Sequence, residues 1–85
     1  MTSGQIPPEL RAALRALRTV RSEKPEGGSE TEAFAAWRER MAEALERLAQ
    51  LLIFPEDRRQ AADEATEARA QAARIRAHLR NDRAD

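Results

Sequence analysis

The sequence predicts an all-α fold, a three-helix domain built on a long antiparallel helical hairpin with the first helix packed across it. Three observations carry this expectation. Apolar residues recur at steps of three and four from Ile6 to Val20 and again from Phe34 to Leu52. Pro7-Pro8-Glu9 and Pro55-Glu56-Asp57 are both helix-entry signals. Only a tight bend around Ile53-Phe54 separates the second helical segment from the third, which forces the two to fold back on each other.

The first helix is expected over 8–22. Pro is tolerated in its first turn, where the missing N–H has no partner to lose, and Glu9 complements the helix dipole. Ile6, Leu10, Leu14, Leu17 and Val20 fall along one side, which is the side expected to be buried. Residues 23–29 collect Pro25, Gly27 and Gly28 among charges and read as a mobile linker, so that helix one is expected to dock loosely.

The second helix is expected over 30–53. Ser29 stands three residues before Glu32, the capping-box spacing. Phe34, Trp37, Met41, Leu45, Leu48 and Leu52 then make the strongest stripe in the chain, widened by Ala44 and Leu51. Pro55 ends it, because the residue before a Pro is pushed out of the helical region.

The third helix is expected over 55–80, with a seam of Ala61, Ala65, Ala68, Ala72, Ile75 and Leu79. An antiparallel return sets Leu48 level with Ala61, Met41 with Ala68, and Trp37 with Ala72, large residues against small ones. Such pairing lets helix axes approach toward the short end of the usual roughly 8–10 Å separation.

The core this makes is thin. The 85 residues form one small domain in which 18 of the apolar residues are Ala and 17 are larger. Each large side chain contributes roughly 1.5–3 kcal/mol against a backbone entropy of about 1–2 kcal/mol per residue, so a second copy or a partner is expected to help.

Charge and inventory narrow the function. Fifteen basic and fifteen acidic residues leave a formal net charge of zero, so no long-range field draws the chain to nucleic acid or an anionic membrane. The first five residues carry no signal-peptide pattern and no run is long enough to span a bilayer, from which a cytoplasmic protein is expected. Cys and Tyr are absent and His78 is the single His, so neither a disulfide framework nor a hydrolytic triad can be assembled. His78 reads as a dipole-compensating residue near a helix end.

Glu39, Glu43 and Glu46 could approach Asp63, Glu64 and Glu67 across the hairpin as oxygen ligands for a cation. Glu43–Arg47 and Arg59–Asp63 pairs on solvated faces explain the same residues more simply, and no metal, cofactor or catalytic residue is expected. Arg11, Arg15 and Arg18 form a stripe beside the Leu face of helix one and are the candidate phosphate contacts, while Arg69, Arg74, Arg76, Arg80 and Arg83 make the last segment basic. Trp37, in the middle of its stripe, is expected in the core.

Leu51, Leu52, Ile53 and Phe54 point all round a helix end and cannot all be covered by an Ala-rich neighbour. They are the candidate partner interface. The expected function is therefore a non-enzymatic protein–protein interaction or oligomerisation module that binds itself or another protein. The alternative is an accessory nucleic-acid-binding protein acting through its Arg stripes.

Overall fold

The computed structural model describes residues 6–84, with side chains through residue 82. The signal-peptide reading of Met1 to Gln5 and the side chain of Arg83 lie outside the described residues. Three helices follow one another, α1 (Pro8–Ser22), α2 (Glu32–Leu51) and α3 (Pro55–Ala84). No described helix is long and apolar enough to cross a membrane.

Three helix boundaries differ from expectation. α2 is capped by Thr31 rather than Ser29: the Thr31 hydroxyl accepts a 3.1 Å hydrogen bond from the Phe34 backbone N–H. Beginning there places Phe34 in the first turn, buried, with its ring edge-on to Trp37 at 5.1 Å. Glu32 is thereby released from the capping-box role and reaches Arg76 on α3 instead. At the other end α2 stops at Leu51, two residues short of the expected 53, and Leu52 adopts an extended conformation. α3 continues to Ala84, beyond the expected 80, since neither Gly nor Pro interrupts it.

α2 and α3 form the antiparallel hairpin, and α1 packs against α2 while making no backbone contact with α3. The Cα atoms occupy 64 × 24 × 14 Å, a flat layer rather than a triangular bundle, whose two short dimensions would be similar. The reason lies on α2. Ala35 and Ala42 are wholly buried, although neither belongs to the expected stripe. Ala42 lies between Glu39 and Glu46, as Ala72 lies between Arg69 and Arg76, and the pairs Glu46–Arg69 and Glu39–Arg76 bracket the two alanines. Ala44 lies two residues on, about 200° around the helix, and lines a cleft with Ala12, Ala13, Ala16 and Val20 of α1. α2 is thus sandwiched edge to edge between its neighbours.

α1 is not loosely held. Leu17 and Ala13 are each 5% exposed, and the Trp37 indole N–H donates to the Val20 carbonyl at 2.7 Å. Gly27 (φ 101°) and Gly28 (φ 93°) both take the left-handed conformation that turns the chain from α1 into α2. α1 consequently runs antiparallel to α2.

Candidate interaction surface

The antiparallel course of α1 brings its N-terminal end to the same end of the layer as the bend between α2 and α3. Leu14 shares a cleft with Leu48 and Leu52 at that end, whereas Val20 meets Trp37 far from it. The four candidate interface residues divide there. Leu51 and Leu52 are half-buried against the core, while Ile53 and Phe54 are 70% and 66% exposed. Ile53 and Phe54 fall in the bend because Pro55 excludes the helical conformation just before it, and α3 then opens with the Arg58 N–H donating to the Phe54 carbonyl. The Arg58 side chain reaches back to the Ala49 carbonyl at 3.2 Å and satisfies an acceptor at the α2 terminus.

Ile6 joins this apolar end. Its place in the three-and-four stepping suggested burial, but it precedes Pro7 and lies outside α1, and it is 43% exposed. Position outside the helix was the signal available in the sequence: a helical period assigns a face only to residues that are helical. Together Ile6, Ile53 and Phe54 are the large hydrophobic residues left exposed among the described residues.

Between α1 and α3, on one face of the layer, runs a cleft of about 260 Å³ floored by Leu45, Leu48 and Leu52. Its α1 wall carries Leu14, Leu17 and Arg21, and its α3 wall carries Asp57, Gln60 and Glu64. Arg21 and Glu64 approach to 3.6 Å across it. Beyond them Arg38 and Glu67 continue the cleft, with the Arg38 guanidinium carbon 5.8 Å from the centre of the Trp37 ring.

The candidate phosphate contacts Arg11, Arg15 and Arg18 are all exposed, and none takes part in an ion pair among the described residues. They lie one to three residues from Leu14, Leu17 and Arg21 on the outward side of the α1 wall. Arg69 and Arg76, by contrast, are engaged. Arg69 makes a two-pronged bond to Glu46, at 2.7 and 2.8 Å, and holds that carboxyl below its usual pKa, chiefly by hydrogen bonding. Arg76 bonds both Glu32 and Glu39, and both guanidinium groups are stabilised in their charged form by these partners.

These cross-helix bonds also replace the expected local pairs. Among the described residues neither Glu43–Arg47 nor Arg59–Asp63 forms an ion pair, because nothing buries or orients these side chains beyond helical spacing, and such exposed pairs are weak. Three of the acids considered as cation ligands are committed to guanidinium groups, Glu39, Glu46 and Glu64. No group of three or more His, Asp or Glu among the described residues stands where it could hold a metal ion. His78 lies six residues before the end of α3, exposed, with Nε2 3.7 Å from Asp82.

No family model matches the chain, and no curated protein or solved structure shows significant similarity to it.

Proposed function

We propose that the protein is a non-enzymatic interaction module whose contact surface is the apolar end formed by Ile53 and Phe54, bordered by Ile6, Leu51 and Leu52. The observation that carries this reading is the 70% and 66% exposure of two adjacent large apolar side chains in a protein with few of them. Exposed side chains of that size, close together and held by the rigid bend between two packed helices, are characteristic of protein interfaces rather than of isolated surfaces. The half-buried Leu51 and Leu52 beneath them supply a continuous apolar base.

The test is light scattering over a dilution series together with affinity capture from source lysate, each repeated for Ile53→Glu and Phe54→Glu. Association with itself or with a protein, lost in both variants, is the expected result. A well-folded monomer at every concentration that captures no protein overturns the reading.

A second reading, nucleic-acid binding, is favoured by one observation: the exposed row of Arg11, Arg15 and Arg18, in no ion pair among the described residues. Nuclease treatment during the capture experiment separates it from the first, since material tethered by nucleic acid is released and a protein partner is retained.

A further inference from the structure

The two helices that flank the cleft, α1 and the first part of α3, carry opposite charge. From residue 8 to 22, α1 has four Arg against one Glu. The part of α3 lying alongside it, residues 56–67, has five acids against two Arg, one of which, Arg58, is turned back to the Ala49 carbonyl. Asp57, Glu64 and Glu67 line the cleft, and the floor between the walls is Leu45, Leu48 and Leu52. Among the described residues, Arg21 and Glu64 are the ion pair that crosses this gap.

A surface with one basic wall, one acidic wall and an apolar floor is complementary to itself under one kind of two-fold rotation. If the axis runs parallel to the helices, a second copy placed face to face sets its α1 over the first copy's α3, and the reverse. That rotation leaves every residue at its own level along the layer. Basic α1 residues therefore meet acidic α3 residues that are already level with them. The same rotation brings both apolar ends, with Ile6, Ile53 and Phe54, side by side. An axis running across the helices would instead stack α1 on α1 and α3 on α3, like charge on like, and would send the two apolar ends apart.

We infer that the occupant of this cleft face is a second copy of the chain, bound as a parallel two-fold dimer in which Arg11, Arg15 and Arg18 of each copy face Asp57 and Glu67 of the other. This rests on the reading of the protein as an interaction module and names its partner. The layer, with one helix on each side of α2, becomes a two-layer assembly whose inner surface holds both Leu floors. The thin core then gains apolar contact from its own duplicate.

Charge reversal gives a test that leaves the internal Arg21–Glu64 pair intact. One variant carries Arg11→Glu, Arg15→Glu and Arg18→Glu, and the other carries Asp57→Arg and Glu67→Arg. Each alone sets like charges against each other in a homodimer and is expected to weaken self-association by at least about tenfold. Mixed, they form a heterodimer in which both wall contacts are again of opposite charge, and association is restored. Circular dichroism of each variant verifies that it is folded. The chain has no Cys, so a spin label on Glu56→Cys is unique and reports direction: a parallel dimer gives a short distance between the two labels, an antiparallel one a distance approaching the length of the layer.

A dimer that fails to re-form on mixing, or that shows the long label distance, overturns the inference. So does a chain that remains monomeric into the millimolar range. In that last case, binding of a different protein that is lost in Ile53→Glu leaves the interaction-module reading standing, whereas the absence of any association removes both.

Discussion

The Trp37 indole N–H donates a 2.7 Å hydrogen bond to the backbone carbonyl of Val20, an oxygen that also accepts from the Glu23 backbone N–H at 3.0 Å. One side chain of α2 thus holds the C-terminal turn of α1 at the point where the chain leaves the helix. Trp37→Phe removes the donor and part of the ring while keeping an aromatic side chain in the core. It is expected to cost about 1–3 kcal/mol, combining a lost hydrogen bond with an incompletely filled site. Urea unfolding followed by circular dichroism measures this, and an unchanged midpoint would show that the apolar contacts of Leu17 alone hold α1.

Close approach of α2 and α3 depends on alanine on both sides. Ala42, Ala68 and Ala72 have no exposed surface, so an isobutyl side chain in place of the methyl must displace its neighbours. Ala42→Leu and Ala68→Leu are each expected to destabilise the hairpin by about 1–3 kcal/mol through overpacking. Ala62→Leu, on the exposed face of α3, is the control and is expected to change the melting temperature little.

The cap of α2 can be identified by comparing two substitutions. Thr31→Ala deletes the acceptor for the Phe34 N–H and is expected to cost about 0.5–2 kcal/mol, whereas Ser29→Ala is expected to be near neutral. Equal losses in thermal unfolding would restore the capping-box assignment.

Glu46 has a lowered pKa in the folded chain because Arg69 hydrogen-bonds its ionised form. A group depressed in the native state contributes stability above its unfolded pKa, and that contribution is lost as pH falls through the native value. Glu46 is 44% exposed, so the effect is less than about 1 kcal/mol after solvent screening. Stability measured from neutral pH down into the acid range is expected to fall less steeply in Glu46→Gln than in the unmodified chain. Parallel curves for the two would show that the pair contributes nothing measurable.

Much of the helical architecture was legible in the residues. Pro8 and Pro55 locate two helix starts, because a Pro ring suits the first turn and excludes helix before it, and the α3 seam from Ala61 to Ile75 is buried where its period places it. Short connection between Leu51 and Pro55 requires the antiparallel hairpin. All of this follows from local stereochemistry and period, which a single segment contains.

Tertiary structure alone decided the rest. Period identifies a face by its large residues, yet α2 presents two faces to two neighbours, and the one against α3 is marked by Ala35 and Ala42, whose size conceals burial until the opposing helix is in place. Thr31 prevails over Ser29 as the cap because the choice is coupled to burying Phe34 and to the distant Glu32–Arg76 bond. Ile53 and Phe54, unlike Leu51 and Leu52, stand in solvent because α1 lies along α2 and makes no backbone contact with α3. Opposite charge on the two sides of the cleft emerges only from that arrangement, since Arg21 and Glu64 are 43 positions apart in the sequence and approach to 3.6 Å only through the packing of both helices against α2.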